Sequence, residues 1–194
     1  MAKTFKDRLK ELGFAYVFKE AWFRIFSDRP NYYSVNSFLL SCLKERPVDI
    51  PDFKNLDDDK KVVNILRWVK ANIEYVSDNS QRKGNIRNTE YWQTPFETVY
   101  LRTGDCEDMS ILIFCLCRWN RVNPLKIRFV CGDVKITGGS SGHAWTEYLA
   151  DYDMNWYVLD AAYYYDGYHI PERLSIIFNS VKNLYLKTWF KVSI

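Results

Sequence analysis

Cys106 stands in the run Gly104-Asp105-Cys106-Glu107-Asp108-Met109-Ser110, directly ahead of the almost wholly apolar Ile111-Leu112-Ile113-Phe114-Cys115-Leu116-Cys117. That pattern predicts a buried helix opening at the cysteine. A thiol in the first turn of a helix meets unpaired N–H groups and the positive end of the dipole, which favour the thiolate, the form that attacks a carbonyl. The flanking acids oppose this by like-charge repulsion, a conflict relieved if Asp105 caps the helix while Glu107 and Asp108 point outward. They are also poor company for a dry core, which argues against reading Cys106 as an ordinary small buried hydrophobe.

A thiol nucleophile needs a base, and the chain has two histidines. His143 closes a glycine-rich loop, Gly138-Gly139-Ser140-Ser141-Gly142, and opens the strand-like alternation Ala144-Trp145-Thr146-Glu147-Tyr148. His169, beside Ile170 and Pro171 in a tyrosine-rich turn, reads as a surface residue. Asp160 ends the apolar string Trp156-Tyr157-Val158-Leu159, where burying a carboxylate without a partner costs on the order of several kcal/mol. A histidine partner removes that cost; backbone N–H groups are the structural alternative. The segment Ala150–Asn155 suits a hairpin turn between the two strings. One hairpin register sets His143 directly opposite Asp160, and another sets them diagonally on one face. Either lets the carboxylate orient the imidazole. Attack on an amide also creates an oxyanion, for which the Gln93 amide or the Trp92 indole are candidate donors, with core packing as the alternative for both.

Four stretches together, Trp92-Gln93-Thr94-Pro95-Phe96-Glu97-Thr98, Gly104 to Asp108, Gly142 to Glu147 and Trp156 to Asp160, resemble the transglutaminase-like superfamily, in particular its small prokaryotic and viral members described as cysteine peptidases. The ordered Cys, His-Ala-Trp and Trp-x-x-x-Asp combination carries the resemblance, over about Asp57 to Tyr165. It implies an α+β, papain-like fold with the cysteine helix packed on an antiparallel sheet. It also implies Cys106 as nucleophile, His143 as general base and acid, and Asp160 as orienting carboxylate.

The remaining sequence must position these groups. Residues from about Thr4 to Ile25 carry helical apolar spacing interrupted near Gly13, and Asn31 to Lys44 holds a further short helix. Pro47 and Pro51 break regularity and mark a boundary. Asp57-Asp58-Asp59 followed by Val62, Ile65, Leu66, Val69 and Ile73 predicts a helix with acid at its start. Ser77 to Glu90 is a polar, exposed loop. Ile127 to Cys131 is a strand beside the hairpin, and the mixed apolar and basic tail from Leu174 to Ile194 reads as helical. The expected organisation is a helical N-terminal extension (1–56), a catalytic core (57–170) and a C-terminal extension packing on the core (171–194).

With 194 residues, 47% hydrophobic and 17% aromatic, the chain can bury a substantial core. A net charge of +3 from 27 basic and 24 acidic side chains, without a basic run, points away from nucleic acid. The polar first residues do not form a signal sequence and no apolar stretch approaches the ~20 residues of a membrane helix, so a cytoplasmic protein is expected. The five cysteines fit free thiols better than disulfides, and with two histidines and no Cys-x-x-Cys no metal or other cofactor is expected.

These readings point to a cysteine-dependent amide hydrolase (a peptidase or amidase) or an acyltransferase, working through a thioester on a protein or peptide substrate, with hydrolysis favoured by the small size of the chain and the lack of a calcium-binding motif. Acyl transfer to an amine is the variant outcome if water is excluded; transfer from a coenzyme thioester to an arylamine uses a similar triad without specific support here. The alternative from another class is an inactive module of the same fold that binds a partner through its terminal segments.

Overall fold

The computed structural model describes residues 32–77, 91–163 and 184–194. Among these residues the elements are helices α1 (Tyr32–Cys42), α2 (Asp58–Asn72), α3 (Pro95–Leu101) and α4 (Cys106–Trp119), the short parallel pair β1 (Glu74–Tyr75) and β2 (Thr103–Gly104), and strands β3 (Ile127–Ile136), β4 (Gly139–Leu149), β5 (Trp156–Leu159) and β6 (Tyr185–Val192). Strands β3 to β6 form one antiparallel sheet in the order β5-β4-β3-β6.

Local chemistry explains the helix starts. Asp57 caps α2 by accepting from the Lys60 amide, and Asp58 and Asp59 complement the dipole. Thr94 and Glu97 form a reciprocal capping box at α3, with Pro95 in its first turn. Arg102 ends that helix in the left-handed conformation, φ 58°, and turns the chain into β2. Pairing of Tyr75 with Gly104 then delivers the chain to Asp105 and Cys106.

The core lies between the sheet and helices α1, α2 and α4. Every residue of α4 from Glu107 to Cys117 is buried, so the helix has protein on all sides. Its attachment to the sheet is polar as well as apolar: Ser110 Oγ donates to the Ala144 carbonyl (2.9 Å), and Thr146 Oγ1 donates to the Ser110 carbonyl (2.9 Å). Thr146 therefore faces α4, and strand alternation puts His143, Trp145 and Glu147 on the other face.

Three expectations change. The glycine-rich stretch before His143 is not a loop: β4 already runs from Gly139, and the chain reverses in a tight turn at Gly138, φ +90°, a conformation glycine adopts without steric cost. The tail is not helical over its last part, where Tyr185–Val192 is a strand on the β3 edge. Its aromatic and β-branched residues, Tyr185, Thr188, Trp189, Phe190 and Val192, suit a pleated surface, and β3 offers a row of unpaired backbone groups. Third, the acids after Cys106 do not point outward, as described below. The helices expected before Asn31, the loop from Asp78 to Glu90, and the segment from Tyr164 to Asn183 with His169 lie outside the described residues. No helix among the described residues is long and apolar enough to cross a membrane.

Candidate active site

Asp160 follows β5 directly, and the β4–β5 register, Thr146 with Leu159 and Tyr148 with Tyr157, sets its relation to His143. Carried one residue on, this register places the carboxylate opposite Trp145, diagonal to His143 and on the same face. His143 Nε2 and Asp160 Oδ2 are 2.6 Å apart. The same oxygen accepts from Tyr185 Oη (2.7 Å), while Oδ1 accepts from the Tyr163 amide (3.2 Å). Burial pushes the Asp160 carboxyl up, but the His143 charge and these donors outweigh it and hold the group below its ordinary value. An ionised Asp160 makes Nε2 the protonated ring nitrogen, leaving Nδ1 for proton exchange. For His143, burial favours the neutral ring, yet the neighbouring Asp160, and then Asp105, raise its pKa above 6.5. The ring stacks on Trp145 at 6.2 Å and 22°. Trp145 Nε1 in turn donates to Glu147 Oε1 (3.0 Å), and Arg128 and Lys191 pair with Glu147 Oε2.

Cys106 is the first residue of α4 and is half-buried, whereas the other four cysteines are buried. It shares with His143 and Asp160 an open cleft of about 850 Å³, walled by Tyr75, Val134, Leu184 and Tyr185 among others. The expected helix-start thiolate is corrected here. Burial, then the Glu107 charge, then Asp105 push the thiol well above its usual value, against a lowering contribution from the Ala144 main chain. The thiol donates to Glu107 Oε2 at 3.1 Å. Glu107 and Asp108 are buried rather than outward-facing. Asp108 Oδ1 accepts from the Gln93 amide (2.7 Å) and its Oδ2 from the Asp105 amide (3.3 Å), so one carboxylate ties the Gln93 segment to the start of α4.

Trp92 and Gln93 are both buried and neither lines the cleft. Trp92 sits in an aromatic group with Phe38 and Phe129. Among the described residues the Gln93 side-chain amide has no hydrogen-bond partner. Tyr185 is a neighbour of the site that the sequence did not single out, and Glu107 and Asp108, expected to point outward, are buried beside it. The Asp105-x-x-Asp108 spacing is a capping-box signal that could have revealed this for Asp108.

Among the described residues no strand pairs with β4 beside the cleft ahead of Thr146. Ala144 turns its carbonyl to Ser110, away from β3, and the Lys135 amide turns to Leu184, just ahead of β6. The antiparallel alternation then points the N–H and C=O groups of Gly142 and Ser140, which pairs with Lys135, off the side of β4 away from β3. Pairing with β5 begins only at Thr146.

A family model described as a transglutaminase-like domain matches residues 49–168. The chain belongs to the transglutaminase-like family. That membership accounts for the α+β arrangement of a transglutaminase-like core, with the cysteine helix against an antiparallel sheet that bears the histidine and aspartate. No curated protein matches the chain. Among solved structures it is similar to Legionella pneumophila LapG in a calcium-bound form, at 16% identity and a TM-score of 0.49 over 90% of this chain and 83% of that one. It is likewise similar to L. pneumophila LapG at 15% identity, TM-score 0.49 and the same coverage. For the EGTA-treated form the values are 15% and 0.47, over 90% of this chain and 81% of that one.

Proposed function

We propose that this transglutaminase-like domain is a cysteine-dependent amide hydrolase acting on extended polypeptide, with Cys106 as nucleophile, His143 as general base and acid, and Asp160 as the carboxylate that orients the ring. The observation that carries the reading is the 2.6 Å His143–Asp160 contact opening onto the same cleft as the half-buried Cys106. The raised thiol pKa favours transfer of its proton to His143 during attack over a preformed ion pair. The sulfur bonds to the carbonyl carbon as the imidazole takes the thiol proton. The imidazolium then protonates the departing amine as the C–N bond breaks, leaving a thioester. Water, deprotonated by the same ring, attacks the thioester and frees the acid and the thiol. Neither oxyanion candidate lines the cleft; Gln93 is the better of the two because Asp108 ties its main chain to the start of α4, whereas Trp92 packs with Phe38 and Phe129.

The β4 edge ahead of Thr146, which no strand pairs among the described residues, supports a polypeptide substrate, because an extended chain can add there as a strand, hydrogen-bonded to Ser140 and Gly142. The openness of the cleft supports water over a second amine substrate. Incubation with a peptide library and with a casein-type protein, each with and without a primary amine, tests the reading by mass spectrometry. Cleavage products and a Cys106 thioester, both absent in Cys106→Ala, are expected. Amine incorporation without cleavage would assign acyl transfer instead, and no turnover or thioester would leave the binding-module alternative.

A further inference from the structure

We infer that Tyr185, carried by the C-terminal strand, is a positioning residue of this site: its hydroxyl shares Asp160 Oδ2 with His143 and so sets both the orientation and the basicity of the imidazole. The inference rests on the triad reading above, to which it adds a residue outside the matched family region of 49–168.

The first support is how the strand delivers the side chain. The β3–β6 ladder shifts twice, leaving Trp189 extra between the Cys131–Phe190 and Gly132–Thr188 pairs and Leu186 extra between the Asp133–Lys187 and Val134–Tyr185 pairs. The second shift restores the face alternation that the first reverses, so Tyr185 shares the face of Val134, which is the face of His143 and Trp145. The ring then packs on Trp145 at 4.7 Å and lies 6.4 Å from the His143 ring, so indole and phenol wall the imidazole together.

The second support is chemical. Asp160 Oδ2 receives two donors, at 2.6 and 2.7 Å. A phenol bonds an isolated carboxylate more strongly than one already neutralised by an imidazolium, so the Tyr185 bond favours the neutral ring. It opposes the upward pull of Asp160 and keeps more of His143 in the base form near neutral pH. It also fixes the carboxylate's torsion, and with it the ring plane.

Tyr185→Phe keeps the packing and removes only the donor. With His169→Gln as background, one imidazole remains, and its NMR titration reads His143 directly. The expected result is a rise of the His143 pKa by roughly half a unit. The iodoacetamide rate of Cys106 should fall by up to about threefold near neutral pH, its acid limb moving up in step, with an unchanged circular dichroism spectrum. An unchanged ring titration and alkylation profile in Tyr185→Phe would overturn the inference. Because the titration needs no turnover, failure of the parent protein to hydrolyse peptides would count against the hydrolase reading and not against Tyr185.

Discussion

Cys106 and Glu107 show how a neighbour can reverse what a helix end alone would do. The helix dipole lowers a thiol pKa, but the loss of hydration, and after it the buried Glu107 carboxylate 3.1 Å from the sulfur, act the other way and win. Glu107→Gln removes the charge, so the pH midpoint of Cys106 alkylation should move down and labelling at pH 7 should rise several-fold, read by intact-protein mass spectrometry. In Cys106→Ser no thiol should label under native conditions, since the other four are buried. His143 must be unprotonated to accept the thiol proton, and its pKa is raised, so activity should climb with pH through a midpoint above 6.5. Asp160→Asn removes the carboxylate that raises it. The midpoint should shift to lower pH while kcat drops about 10- to 100-fold through loss of ring orientation.

At the scale of elements, the start of α4 and the β6 edge hold the site together. Asp108 is nearly fully buried and bridges the Gln93 and Asp105 amides, so Asp108→Ala leaves both donors without that acceptor. A loss of about 2–3 kcal/mol in urea unfolding is expected. Gly132 sits where a Cβ would lie 2.1 Å from the Lys187 carbonyl and 2.7 Å from the Trp145 ring. Gly132→Ala must push β6 off β3, and faster hydrogen exchange in β6 together with the Tyr185→Phe alkylation phenotype would report it. The elements bearing the site were largely legible in the chain. Capping acids and apolar spacing announced α2 and α4, and alternation announced β3, the second half of β4, and β5. The tail was not, because a short string of aromatic, aliphatic and basic residues fits a helix stripe or a strand edge equally well. Only an available partner edge decides between them.

For the molecule as a whole, the His143–Asp160 pair links folding to pH from both sides. Asp160 is held below its ordinary value, so its contribution is present above the unfolded pKa and lost as pH falls through the folded one; His143 is raised, so its contribution is complete below 6.5 and lost as pH rises through its folded value. The pair therefore stabilises most between about pH 4 and 6.5. Urea midpoints across pH should show this window in the parent and a flatter profile in Asp160→Asn. The sequence by itself determined the family, the order of cysteine, histidine and aspartate, and the helix and hairpin that carry them, because residue type, capping and periodicity are local properties read along one chain. Tertiary structure alone decided the diagonal register, the upward push on the Cys106 thiol, the Gln93 segment held by Asp108, and the tyrosine that β6 brings to Asp160. Each of these depends on desolvation or on contact between segments far apart in the chain, and neither is written in the spacing of neighbouring residues.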